Sequence, residues 1–410
     1  MNQGLPFSKS INKDFFNFIR LHANENISDL ILRYKGKDLG FDLDFALVQI
    51  EGRQRLKKKT QAFLSFNTLI PDLLATEQAS NEIIAKFHAE IAGRNQSVLD
   101  MTAGLGIDAL AMAINADSMT ACDTDLLKTE IFRYNTEVLN RHNIKIVNQN
   151  AINFLENHDG KFDLIFIDPS RRDDGQRLYN LNDCQPNILQ HIEVVKEKGK
   201  RLLIKCSPML DVTQTIKDLK DNVSSIKAVS LNGECKELLI EIKNNSINDN
   251  PESVLCEAIN LNSDGSAGFR FSFDSSDINH SKLDFITGID LITKGYLYDP
   301  GASVMKFSPW NILTDKFPGI KKLSRHAHLF FYQEYLKDFP GRKLKITKII
   351  EKKDRQSLKG TPVNVVTKDF PISAERLQRE LGLKSGENQF IYAVKINGKS
   401  ILFLCELIKT

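Results

Sequence analysis

Four short stretches of the chain carry residues suited to binding and group chemistry. The first is VLDMTAGLGIDAL at 98–110, where an apolar run ends in Asp100 and Gly104 and Gly106 follow. Glycines at such a place let the backbone approach a ligand closely and adopt dihedrals that other residues avoid. A helix starting near Ile107 would turn unpaired N–H groups toward an anionic group. The competing reading is a tight turn between strand and helix. The second stretch is SMTACDTD, whose Asp123 ends an apolar run 19 positions after Gly104. A carboxylate there can accept hydrogen bonds from ribose hydroxyls, a role for which Asp125 competes. The third is IKIVNQNAINFL, in which the Asn150 amide can pair with an adenine edge or simply occupy a loop. The fourth is KFDLIFIDPSRRDD, where Leu164 to Ile167 lead into Asp168-Pro169. Asp168 can accept from a proton-bearing amine, and Pro169 stiffens the loop while leaving its carbonyl to accept. Arg171 and Arg172 offer forked guanidinium groups to phosphate, unless they bridge Asp173 and Asp174.

These stretches need a scaffold that delivers them to one place. From about 96 to 245, short apolar runs (SVLDM, SMTACD, IKIVNQN, FDLIFID, RLLIKCS, ELLIEI) alternate with helical patterns (DALAMAIN, LLKTEIFRYNTEVLNRH, QPNILQHIEVVKE, VTQTIKDLKDN). Such alternation predicts parallel βαβ units and a doubly wound α/β sheet, with ligands at the carboxyl ends of the strands. Residues 1–95 read as a helical region. It holds a helix ending at Gly36, the basic cluster GRQRLKKK at Gly52–Lys59, and a helix with Thr76 as N-cap and Gly93 as stop. The polar stretch KNNSINDNPES at 243–253 reads as a linker, and GECKE at 233–237 as the turn between the last two strands. A small α+β domain is expected at 254–320 and a second at 321–410, the latter closing in a hairpin around Asn397-Gly398.

The order of the four stretches resembles the class I S-adenosylmethionine-dependent methyltransferases, with their Rossmann-like sheet. The resemblance implies S-adenosylmethionine as cofactor, held by Asp100, Thr102, Gly104, Gly106, Asp123 and Asn150. It implies Asp168 and Pro169 as the catalytic pair facing the methyl acceptor. Asn150 stands where Asp is usual in many such enzymes. A closer resemblance runs through EQASNEIIAKFHA, DMTAGLGIDAL, FIDPSRR, IKCSPMLD, SLNGECKELLIE, YLYDPGASVMK, LFFYQEYLKDFPGRKLKI and KDFPISAERLQREL. Together they resemble a bacterial methyltransferase family with a THUMP-like C-terminal domain. The resemblance implies a ferredoxin-like character for 254–320, a THUMP-like one for 321–410, and transfer to a base nitrogen of ribosomal or transfer RNA. EQAS at 77–80 would then close over the methionine end of the cofactor. There is one departure. Enzymes that methylate base amines often follow Asp or Asn with two prolines and a stacking aromatic, whereas this chain reads Asp168-Pro169-Ser170-Arg171. Phe307, Trp310 or Tyr179 are candidate replacements.

Composition agrees without deciding. The chain has 410 residues, 41% hydrophobic and 26% charged, which suits a soluble protein of several domains. A net charge of +3 does not by itself argue for nucleic acid. The tail does so more strongly: Lys316 to Lys359 holds 13 Lys and Arg against 4 Asp and Glu. Phe330, Phe331, Tyr332 and Tyr335 are interleaved there at spacing that also suits the core face of an amphipathic helix. The six cysteines show no Cys-x-x-Cys, so buried, reduced thiols and no metal are expected. The N-terminus shows no secretory pattern and no run is long enough to span a bilayer, so a cytoplasmic protein is expected. Three alternatives stay open. One is an oxidoreductase, since Gly104-x-Gly106-x-x-Ala109 fits a tolerant dinucleotide fingerprint. Another is a non-catalytic RNA-binding protein with a retained methyltransferase fold. The third is a methyltransferase of proteins or small molecules.

Overall fold

Asparagine or aspartate opens each helix of the N-terminal region, because its side chain accepts from backbone N–H groups that the first turn leaves unpaired. Asn12, Asn26, Asp42, Asp72 and Asn81 cap Lys13–Leu21, Ile27–Tyr34, Leu43–Leu56, Leu73–Gln78 and Glu82–Ala92. The computed structural model describes residues 11–61, 65, 67–171, 181, 184–219, 223–244, 253–279, 283–288, 292, 294–386 and 388–408. They fall into two compact units. The first runs to Ser224 and includes 239–244 and 263–265; the second holds 225–238, 253–262 and the residues from 266 on. No helix among the described residues is long and apolar enough to cross a membrane.

In the first unit, Phe15, Phe18, Leu30, Ala46, Leu47 and Ile50 form a core that also takes in Ile131 from the helix Leu126–Val138. Two amides fasten this region. Asn135 exchanges hydrogen bonds with both backbone groups of Leu69 at 2.7 and 2.8 Å, and Gln49 does the same with Ile70 at 2.8 Å each. Thr76 is not a cap. It lies inside Leu73–Gln78, and Asn81 caps the next helix, which stops at Gly93 as expected.

The first five strands of the sheet in this unit are parallel. The order is Ile144–Asn148, Ser118–Asp123, Ser97–Asp100, Phe162–Ile167, Gly199–Cys206, followed by 239–243 of the strand Glu234–Lys243. Helices Ile107–Met112, Leu126–Val138, Ala151–Glu156 and Ile188–Lys198 connect the parallel strands. Residues 164–167 are almost fully buried, as an apolar run covered on both faces should be. Chain order reverses at Ser97–Asp100, which places a crevice at the carboxyl ends of that strand and its neighbours.

In the second unit, strand pairing cuts across the expected segments. Leu255–Leu261 pairs in parallel with Ser225–Leu231 and antiparallel with Ala267–Asp274. Tyr296–Pro300 instead joins a seven-stranded sheet with Lys321–Lys322, Phe330–Tyr332, Gly341–Ile349, Lys399–Leu407, Gln389–Ile396 and Asn364–Lys368. The segment 254–320 is therefore not a separate body; strand pairing divides it between two sheets. Phe330 and Phe331 lie in a strand, both buried, rather than on a helix. The turn expected over GECKE is Asn232-Gly233, both at positive φ, and Glu234 already belongs to the next strand. The hairpin at Asn397-Gly398 forms as expected, again with two positive φ values. Residues 245–252 of the expected linker lie outside the described residues.

Candidate active site

The loop after Ser97–Asp100 is stitched to the strands on either side of it. Met101 N donates to the Phe166 carbonyl at 2.9 Å and Ala103 N to the Cys122 carbonyl at 3.0 Å. Gly104, at φ +53°, donates its N–H to Asp123 Oδ2 at 3.0 Å. The other Asp123 oxygen accepts from Asp125 N at 2.9 Å. Thr102 completes the seam. Its N–H donates to Asp100 Oδ1 at 2.9 Å, and its hydroxyl oxygen accepts from Asp168 N at 2.8 Å. Asp100, Thr102, Gly104, Asp123 and Asp168 thus meet around one crevice, although they come from the ends of three strands.

Each glycine is there for a reason. A Cβ on Gly104 would meet nothing closer than the Thr102 carbonyl at 3.9 Å, so this glycine leaves space at the mouth of the loop. A Cβ on Gly106 would sit 2.2 Å from the Phe132 ring, and its φ of +82° is one that side chains rarely adopt.

Two expected contacts read differently in the structure. The Asn150 oxygen accepts from Ile152 N and Asn153 N, so it caps the helix Ala151–Glu156 and leaves its amide NH₂ as the group to offer a ligand. Asp125 likewise caps Leu126–Val138, which removes it as a rival to Asp123. Ser170–Arg171 pairs with Cys184–Gln185, but only the backbone of Arg171 is described. Arg172 and Tyr179 lie outside the described residues. Phe307 is buried against Phe273, and Trp310 stacks on His328 at 4.6 Å between ring centroids.

Sequence reasoning missed the charged cluster behind the crevice. Lys205, in Gly199–Cys206, donates to Asp168 Oδ2 at 2.5 Å and to Ser80 Oγ at 2.7 Å, and lies 3.7 Å from Asp108 Oδ2. Ser80 donates to Asp108 Oδ2 at 2.5 Å, and the buried His88 ring meets Asp108 Oδ1 at 2.8 Å. Burial works against a charged Asp108, but Lys205 and then His88 outweigh it and hold the carboxyl well below the usual range. Asp100 goes the other way. It is buried with Asp108 and Asp168 as like-charged neighbours, and burial above all pushes it up to about 8. One clue was available: a lysine inside the otherwise apolar run LLIKC.

Three cations of the basic cluster at Gly52–Lys59 are engaged within the first unit. Arg53 donates to the carbonyls of Ser65 and Thr68, Arg55 pairs with Glu51 and Glu77, and Lys59 donates to the carbonyls of Thr76 and Glu77. Lys57 and Lys58 are exposed. In the tail, Lys322 and Lys343 are buried, whereas Lys352, Arg355 and Lys359 line a cleft of about 300 Å³ with Gln356, Leu377, Leu381 and the acidic Glu380. No described group of His, Cys, Asp or Glu could hold a metal ion. The six cysteines are free thiols, five of them buried.

Comparison with known proteins adds context to this geometry. Residues 56–220 match a family described as conserved hypothetical protein 95, residues 296–340 a ferredoxin-like domain, and residues 341–407 a THUMP-like domain. The chain thus carries these three segments in order. It is 28% identical over 174 residues to an uncharacterized RNA methyltransferase of Mycoplasma mobile, covering 42% of this chain and 44% of the relative. It is 26% identical over 136 residues to an uncharacterized RNA methyltransferase of Thermotoga maritima, covering 33% and 28%. The chain therefore spans less than half the length of these curated relatives. A crystal structure of a Porphyromonas gingivalis W83 protein named as a methyltransferase superposes with a TM-score of 0.82 at 22% identity, covering 96% of this chain and 98% of that one. The likeness establishes a shared fold.

Proposed function

We propose that this protein is an S-adenosylmethionine-dependent methyltransferase that modifies a base nitrogen of ribosomal or transfer RNA in the cytoplasm. The observation that carries the reading is the seam at the sheet's reversal point, where Gly104 N is bonded to Asp123 and Asp168 N to Thr102. It sets a glycine loop, a ribose-type acceptor and an Asp-Pro pair around one crevice. The fit to the cofactor rests on two features. Gly104 leaves the loop open where a side chain would stand. The crevice is lined by Asp123 and Asp168, which suits a sulfonium cation better than the pyrophosphate of a dinucleotide. That charge balance favours the transferase over the oxidoreductase.

S-adenosylmethionine, when bound, supplies an electrophilic methyl group, which passes to the acceptor's lone pair as the carbon–sulfur bond breaks. The chain's own residues bind and orient. Asp123 would accept from ribose hydroxyls and keep the Gly104 loop in place, and the Asn150 NH₂ would reach the base. Asp168 and the Pro169 carbonyl would accept from the acceptor amine and aim its lone pair. The amine loses its proton to water after attack, so no strong base is needed beforehand. RNA as the acceptor is supported by the names of the curated relatives and by the cleft where Lys352, Arg355 and Lys359 outnumber Glu380, a balance that suits phosphates.

The test is calorimetric titration with S-adenosylmethionine, with NADH and NADPH as controls. Micromolar binding of S-adenosylmethionine alone, weakened at least about tenfold in Asp123→Ala, is expected from the loss of a half-buried acceptor. Binding of a dinucleotide instead would sink the reading.

A further inference from the structure

An ammonium group has three hydrogens to place. Lys205 directs its own toward three elements: Asp168 after Phe162–Ile167 (2.5 Å), Ser80 ahead of Glu82–Ala92 (2.7 Å) and Asp108 in Ile107–Met112 (3.7 Å). Behind it the frame is braced. Ser80 and His88 both hold Asp108, and Lys59 holds the carbonyls of Thr76 and Glu77 just before Ser80. Among the described residues, Lys205 also influences Asp100 and Lys59. Two of the contacts that hold Asp168 are its N–H on Thr102 and its Oδ2 on Lys205.

We infer that Lys205 is a positioning residue for the transfer: by clamping one carboxylate oxygen of Asp168 it directs the other, with the Pro169 carbonyl, toward the acceptor. The inference rests on the methyltransferase reading. It gives the segment Glu77–Ser80 a second duty. Besides bordering the loop, this segment supplies the hydroxyl that links Lys205 to the buried Asp108, so the N-terminal helices set the aim of the Asp-Pro pair.

The experiment compares the full chain with Lys205→Met, Lys205→Arg and Ser80→Ala. The methyl donor is S-adenosylmethionine, and the acceptor is a mixture of unmodified ribosomal and transfer RNA transcripts. Lys205→Met is expected to keep cofactor affinity and RNA KM within about twofold while kcat falls about tenfold to a hundredfold, the scale of a misaimed reactive group. Its kcat should lose activity at a higher pH on the acid side, because Asp168 without its cation takes up a proton more readily. Lys205→Arg should restore most of kcat, and Ser80→Ala should show a smaller loss in the same direction. The Asp168 carboxyl, followed by carbon-13 NMR and assigned with Asp168→Asn, should titrate higher in Lys205→Met. This readout needs no turnover and decides the clamp even if the RNA mixture is not methylated. Unchanged Asp168 titration, or an equal loss in both Lys205 variants, would overturn the inference. Failure of the wild type to bind S-adenosylmethionine would instead strike the parent reading. If Lys205→Met does not fold, Ser80→Ala and Lys205→Arg carry the same comparison.

Discussion

Each compact unit contains a cluster built around buried aspartate, and the two are built on opposite terms. In the second unit Asp299 gives one oxygen to Lys368 at 2.7 Å and the other to the Tyr392 hydroxyl at 2.8 Å, and both Asp299 and Tyr392 are buried. Burial, reinforced by Asp299, keeps the Tyr392 hydroxyl protonated well past its usual range. The cluster is closed. In the first unit three aspartates, Asp100, Asp108 and Asp168, gather around the single ammonium of Lys205, and the Asp168 side chain remains 36% exposed. Burial keeps Asp100 protonated up to about pH 8, and Lys205 and His88 share Asp108, so the carboxylate that faces outward is that of Asp168. A closed cluster fastens a fold. An open one keeps a carboxylate available to a ligand, at some expense in stability.

The comparison can be broken most directly at its closed end. Asp299→Ala removes the carboxylate that Lys368 and the buried Tyr392 hydroxyl share, leaving Arg342 beside that hydroxyl, and a loss of about 3–5 kcal/mol of stability is expected. Chemical denaturation measures it, and a loss below about 1 kcal/mol would remove the contrast. Asp168→Ala should do the reverse. Its folding stability should barely change, while methyl transfer falls at least about a hundredfold, with cofactor affinity nearly retained. Parallel loss of affinity and turnover in the same assays would show that Asp168 holds the cofactor rather than the acceptor.

The smallest effect sharpens the contrast through pH. Asp100 has its proton affinity raised by folding, to about 8, so the folded chain holds a proton that the unfolded chain has released from about pH 4 upward. Its contribution to stability is therefore fully present at low pH and declines as pH rises toward 8. Asp108, held low, contributes in the opposite sense: its stabilisation is present at neutral pH and fades as pH falls through its folded value. Asp100→Asn fixes the neutral form. Relative to wild type it should gain stability between pH 5 and 9, by about 1 kcal/mol or more. Denaturation midpoints of the two proteins that stay parallel across that range would contradict a neutral Asp100.

The scaffold was legible because its signals are local. Apolar runs such as LIFI announce strands, and Asp100, Asp123 and Asp168 stand at their ends. Gly104 and Gly106 are readable because a loop at that point needs positive φ. The cluster behind the crevice was not legible. Ser80, His88, Asp108 and Lys205 come from two helices, a strand and the turn ahead of one helix, and Ser80 and Lys205 are 125 positions apart. Nothing local marks such a pairing. The misread tail has a different cause. FFY is apolar at spacing that either a helix or a strand accepts, and only pairing with Tyr296–Pro300 decides it. The pairing of Leu255–Leu261 with Ser225–Leu231 is hidden for the same reason, since partners across a sheet leave no trace in neighbouring sequence.

The two amide clasps, Asn135 on Leu69 and Gln49 on Ile70, bear on how such an enzyme can be recombined. A cut at residue 95 looks natural on paper, since the strands begin just beyond it. It would strip Asn135 of both its backbone partners and uncover the apolar face around Ile131. The portable module, for grafting this crevice onto another C-terminal domain, therefore includes the helices ahead of the sheet.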